Sequence, residues 1–174
     1  MSNLKDFAEA SYSTDTNTSI PNGYTKDTHL STPNHSVYHK DNHVVIAYRG
    51  TSNPNDVFTD IVFGAKNHRN SRFDESVKVA NDVKSKYNGK NIETTGHSLG
   101  GGLSIHVAKK TGLKSTAYNP ASNLYSIFEN LPSNVSIHRN KNDIVSLGYA
   151  FNNKTKNYNK NLDAVESHKL KNIF

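Results

Sequence analysis

Residues Gly96 to Gly100 read Gly-His-Ser-Leu-Gly, and this Gly-x-Ser-x-Gly stretch constrains the chain more than any other. It lies between a short strand-like run, Asn91 to Thr95, and a run of helical composition, Leu103 to Lys110. When a strand turns sharply into a helix, the serine at the turn is pushed outward and its backbone is strained. Neighbouring backbone then passes so close that the residues two before and two after must be small. Gly96 and Gly100 meet that demand around Ser98. The strand before and the helix after separate such an elbow from a glycine-rich loop that happens to contain a serine.

The surrounding pattern suits an α/β fold. Leu4, Phe7, Ala8 and Tyr12 have helical spacing, and Thr14 to Pro33, rich in Ser, Thr, Asn and Pro, reads as loop. Val37 to Lys40 and His43 to Tyr48 read as strands joined by a turn at Asp41-Asn42. Val44 to Tyr48 is continuously apolar, as a central strand covered on both faces requires. A turn around Pro54 and a short apolar piece, Val57 to Phe63, follow. Phe73, Val77, Ala80, Val83 and Tyr87 then recur at three- and four-residue steps, which predicts a helix from Ser71 to Tyr87, with Gly89 at its end. Lys114 to Tyr118 is a third core strand, Asn119 to Asn130 a helix and Val135 to Arg139 a further strand. Val145 to Phe151 is apolar around Gly148 without a clear period, and Asn152 to Asn161 reads as a polar loop or hairpin tip. Alternating strands and helices predict a largely parallel sheet with helices on both faces and a site at the carboxyl ends of the strands.

A chain of 174 residues suits one domain with one core, here residues 1–174, with 1–34 a helix followed by an irregular segment. Mean hydropathy is −0.74, but the polar residues concentrate in the first forty positions and in 152–161, which leaves a core to the middle. The absence of cysteine excludes disulfides, zinc–thiolate sites and a cysteine nucleophile. No apolar h-region follows Met1 and no run approaches membrane-span length, so a soluble chain is expected, cytoplasmic or virion-associated. The net charge of +6 is dispersed as Lys84/Lys86/Lys90, Lys109/Lys110/Lys114 and Lys154/Lys156/Lys160. That distribution argues against a nucleic-acid-binding arm and is compatible with peripheral contact with an anionic lipid surface.

A serine hydroxyl becomes a good nucleophile only beside a base that a third group orients. In elbow-bearing folds the chain order is Ser, then Asp or Glu, then His. Asp143 lies just past the strand Val135 to Arg139, whereas Asp163 follows no clear strand and Glu129 lies inside a predicted helix. Beyond the third core strand only His138 and His168 remain as bases. His138 lies within a strand and precedes the acid, so His168 is the candidate. Two N–H groups must face a developing oxyanion. One comes from Leu99, next to the nucleophile, and the other from Arg49-Gly50-Thr51, where Thr51 follows the first central strand. His35, His39 and His43 step by four, but in strand-and-turn context and without a His-Glu-x-x-His motif. Neither metal nor cofactor is expected.

Four segments together resemble the class 3, fungal-type lipases: Val45-Ile46-Ala47-Tyr48-Arg49-Gly50-Thr51, Asp56-Val57-Phe58-Thr59-Asp60-Ile61, Thr95-Gly96-His97-Ser98-Leu99-Gly100-Gly101 and Asp143-Ile144-Val145. The resemblance spans Val44 to Val145 and implies an α/β-hydrolase fold and hydrolysis of acyl esters without metal or cofactor. It implies Ser98 as nucleophile, Asp143 as acid, His168 as base, and Thr51 with Leu99 as oxyanion donors. Triacylglycerol lipase, phospholipase A1 and small-ester esterase all remain open within it. The chain departs from the usual member in its shortness, in having no tryptophan where Val57 or Phe58 stands, and in lacking cysteines. The competing expectation is a non-catalytic binding or structural module, such as a virion component, on a retained hydrolase scaffold. An intact triad argues against that.

Overall fold

The computed structural model describes residues 3–13, 20–21, 23–51, 66–122 and 128–174, with backbone alone over 66–70. In chain order the elements are α1 (Leu4–Ala10), β1 (Thr25–Lys26), β2 (His35–Lys40), β3 (His43–Tyr48), α2 (Lys66–Lys86), β4 (Asn91–His97), α3 (Leu99–Thr111), β5 (Lys114–Tyr118), β6 (Val135–Asn140), β7 (Thr155–Tyr158) and α4 (Ala164–His168). Two 3-10 turns, Leu147–Tyr149 and Leu170–Asn172, flank β7 and α4. The turn at Pro54, the apolar piece Val57 to Phe63 and the motif Asp56 to Ile61 lie outside the described residues.

The strands form one seven-stranded sheet in the order β1 to β7. β1, β2 and β3 are antiparallel, and β3 through β7 are parallel. The expected α/β-hydrolase-like, mostly parallel sheet is therefore present. Its two covered faces follow from the period-2 alternation of β3. Val44, Ile46 and Tyr48 pack against Ala80, Val83 and Tyr87 from α2 and its C-terminal end, and against Leu103 and Val107 of α3. Val45 and Ala47 meet Phe7 and Ala10 of α1 on the opposite face. Burying a side chain such as Phe7 stabilises the fold by about 1.5–3 kcal/mol, which explains how a seven-residue helix holds its place.

Four expectations need correction. α3 begins at Leu99 rather than Leu103, directly after Ser98. Within Thr14 to Pro33, Thr25 and Lys26 form an edge strand on β2. Asn152 to Asn161 contains β7, which pairs in parallel with β6 from Ile137↔Thr155 to Asn140↔Tyr158. Its composition is polar because it is an edge strand, held by Tyr158, whose ring stacks on His138 at 5.8 Å. Finally, Asn119 to Ser122 is not helical, because the chain there folds over the elbow: Ala121 N–H donates to Ser98 O at 2.8 Å and Ser122 N–H to Val145 O at 3.0 Å. Residues 123–127 of that expected helix lie outside the described residues.

No helix among the described residues is long and apolar enough to cross a membrane.

Candidate active site

β4 ends at His97, and Ser98 turns the chain into α3 with φ 56° and ψ −123°. L residues rarely adopt a positive φ, and such a conformation costs on the order of 1–3 kcal/mol. The glycines make the turn possible. A Cβ on Gly96 would overlap the Gly100 carbonyl, and one on Gly100 would overlap the Tyr48 carbonyl at the end of β3. The same proximity holds the end of β3, and hence the start of the Arg49–Thr51 segment, against the elbow. Leu99 is the first residue of α3, so its N–H has no intrahelical acceptor and sits at the positive end of the helix dipole.

The three candidate triad residues meet. His168 Nε2 is 2.9 Å from Ser98 Oγ, and His168 Nδ1 is 2.9 Å from Asp143 Oδ1. A carboxylate can only accept, so Nδ1 carries the proton and Nε2 is left to accept from the serine hydroxyl. Ser98 is 1% exposed and Asp143 fully buried, while the His168 side chain keeps 12% exposure. This arrangement can activate an oxygen nucleophile at neutral pH.

Asp143 has further partners that the sequence reading missed. Its Oδ1 also accepts from Val145 N–H at 3.1 Å. Its Oδ2 accepts from the Ser146 hydroxyl, which in turn accepts from Arg139 Nε at 3.0 Å. Arg139 Nη2 donates to the Asp143 carbonyl at 2.7 Å, and Nη1 to Asn157 Oδ1 at 2.8 Å. Arg139, Ser146 and Asp143 are all buried, so a guanidinium and a carboxylate share one desolvated network with a hydroxyl between them. Burial draws the Arg139 guanidinium below its usual range, and Asp143 opposes that shift.

The rejected candidates are engaged elsewhere. Asp163 caps α4, accepting from Glu166 N–H at 2.9 Å, and Glu129 pairs with Lys109. His138 lies between the rings of Tyr118 and Tyr158, and its Nδ1 is 2.7 Å from the Tyr158 hydroxyl. Burial, helped by Lys156, lowers its pKa to about 4. No group of three metal-binding side chains converges among the described residues. His35 Nδ1 lies 3.1 Å from Thr32 Oγ1, and its Nε2 donates to Leu30 O at 2.9 Å.

A phospholipase-like family model, the Tle-like phospholipase domain, matches residues 7–147. Among solved structures, a triacylglycerol lipase from Penicillium expansum is 17% identical, with a TM-score of 0.57 over 95% of this chain and 80% of that one. A mutant of MDLA from Penicillium cyclopium is 15% identical, with a TM-score of 0.52 over 90% and 77%. At these identities the likeness is one of fold. The chain spans half the length of a further match, a lipase from Rhizopus microsporus var. chinensis. No curated protein matches it.

Proposed function

The chain belongs to the phospholipase-like family of the Tle-like phospholipase domain, and on that premise we propose that it is a serine hydrolase cleaving lipid acyl esters through an acyl-enzyme. The observation that supports this reading is the pair of 2.9 Å hydrogen bonds linking Ser98 to His168 and His168 to Asp143. In the first step Ser98 Oγ attacks the ester carbonyl carbon and its proton passes to His168 Nε2. The carbonyl oxygen becomes an oxyanion, met by the Leu99 N–H and by the N–H and hydroxyl of Thr51. Collapse breaks the ester bond, and the imidazolium returns its proton to the departing alcohol. Water then attacks the acyl-serine and gives its proton to His168; collapse breaks the acyl bond to Ser98 Oγ, which takes that proton back from His168 as the carboxylic acid leaves. Asp143 stays ionised throughout and stabilises the imidazolium. Each step is complete with these side chains and water, so the chemistry needs no metal or cofactor.

The substrate is an acyl ester of a lipid, with a phospholipid the first choice on family grounds. Hydrolysis of p-nitrophenyl esters and of phospholipid vesicles by wild type and Ser98→Ala tests the proposal. The expected loss in Ser98→Ala is on the order of 10⁶-fold in kcat. Equal rates in the two proteins, or a wild-type Ser98 that no fluorophosphonate labels, would leave the non-catalytic scaffold as the better reading.

A further inference from the structure

The helix that carries His168 has little apolar contact to hold it. α4 is five residues long, its one buried residue is Ser167, and Val165, three residues before His168, is 58% exposed. Leu170 and Ile173 are buried, but they lie beyond the histidine. The last carbonyls of any helix also lack intrahelical donors. Here those carbonyls point at the ends of three adjacent parallel strands. His97 closes β4, Asn119 follows β5 and Asn140 closes β6. The register pairs His97 with Tyr118 and Tyr118 with His138, so Asn119 lies one residue and Asn140 two residues past the level of His97, at the same carboxyl edge of the sheet.

Each gives a side-chain N–H to the end of α4. His97 Nε2 donates to His168 O at 2.7 Å. Asn119 Nδ2 donates to Ser167 O at 2.8 Å and to His168 O at 3.0 Å. Asn140 Nδ2 donates to Ser167 O at 2.7 Å. Two of the donors are themselves fixed. Asn119 Oδ1 accepts from Asn140 N–H at 2.9 Å, which sets the direction of its amide. Tyr12 Oη is 3.1 Å from His97 Nδ1. A carbonyl can only accept, so the His97 proton is on Nε2, and the tyrosine hydroxyl donates to Nδ1. Asn119, Asn140 and His97 are buried, so each of these bonds is shielded from competing water.

We infer that His97, Asn119 and Asn140 are positioning residues that grip the Ser167 and His168 carbonyls and so set the His168 imidazole between Ser98 and Asp143. The inference rests on the catalytic reading of Ser98, His168 and Asp143 given above. None of the three reaches the substrate; each acts through His168. Their geometry matters because a displacement of about 1 Å in a catalytic group can cost on the order of 10²-fold in rate.

The test uses Asn140→Ala, Asn119→Gly, which tolerates the positive φ of 39° at that position, and the pair His97→Leu and His97→Gln. Kinetics are measured with a soluble short-chain p-nitrophenyl ester below the melting temperature of every variant. Asn140→Ala, Asn119→Gly and His97→Leu are expected to lose about 10²-fold in kcat with KM within about twofold. His97→Gln, which keeps a side-chain N–H donor, recovers most of that loss. The low-field proton resonance of the His168–Asp143 hydrogen bond provides a readout independent of turnover. It is sharp in wild type and broadened or lost in the three donor-deleting variants. Folded variants that keep wild-type kcat and that resonance overturn the inference. If wild type hydrolyses no ester, the catalytic reading fails, and the resonance alone decides whether the strand-end side chains hold His168. A variant that does not fold leaves the decision to the His97→Leu and His97→Gln comparison.

Discussion

The turn after β4 and the turn after β6 deliver the two ends of the same hydrogen-bonded chain, by opposite means. Ser98 is held by shape: a strained backbone wedged where glycines let β3 and α3 approach. Asp143 is held by polarity: a buried carboxylate tied to Ser146, to Val145 N–H and, through Ser146, to Arg139. Steric positioning is local and tolerates almost no added volume. Polar positioning is distributed, and losing one partner leaves others in place. The two turns therefore fail differently when perturbed.

Among the changes that probe this contrast, the largest expected effect comes from the link that both turns serve. Asp143→Asn keeps the volume but removes the carboxylate that holds the His168 tautomer, and kcat for ester hydrolysis is expected to fall about 10⁴-fold while the melting transition survives. Next is a change at the steric turn. Gly100→Ala adds one methyl against the Tyr48 carbonyl, and urea denaturation should register a loss of about 3 kcal/mol together with loss of fluorophosphonate labelling. A smaller effect belongs to the polar turn. Ser146→Ala strands Asp143 Oδ2 and Arg139 Nε without the hydroxyl between them, costing about 1–3 kcal/mol by the same denaturation assay. If Ser146→Ala proves as damaging to labelling as Gly100→Ala, the contrast between the two turns breaks down.

The smallest effect at neutral pH is a gradient. Burial, with His168 beside it, lowers the pKa of His97 from 6.5 to about 3. The folded state therefore binds fewer protons than the unfolded state between those values. The stability tied to neutral His97 is complete above about pH 6.5 and is lost as pH falls toward about 3. Between pH 7 and pH 5 wild type should lose about 2 kcal/mol from this group alone, and His97→Gln should lose correspondingly less. Parallel pH slopes in the two proteins would show that the elbow carries no such polar contribution.

The same contrast governs what could be read in advance. The elbow is legible because its physics is local: glycines two before and two after a serine, with a strand before and a helix after. Asp143 and His168 are legible through chain order and a short supply of rivals. The network around Asp143 is not. Arg139 looks like the last residue of an ordinary strand, and Ser146 sits in an apolar run without periodicity. The signal that could have found them is a cation and a hydroxyl flanking a candidate acid that must be buried. β7 escaped because an edge strand has one neighbour and little apolar surface to bury, so Thr155 to Tyr158 carries no strand-like alternation. The start of α3 at Leu99 is hidden in the sequence because three glycines, Gly100 to Gly102, mask a helix whose packing against β3 and β4 outweighs propensity.

The reach of the site's bonds has a consequence for how the molecule comes together. Ser98 and His168 are 70 residues apart, Tyr12 and His97 are 85 apart, and the Tyr118 hydroxyl reaches Asn3 Oδ1 across 115. Loop closure over such separations makes contacts slow to form. The sheet can assemble from neighbouring segments, but the Ser98–His168–Asp143 geometry cannot exist until the segments carrying Tyr12 and His168 have docked on it. On the proposed function, recovered ester hydrolysis is expected to report the last event in folding rather than the first.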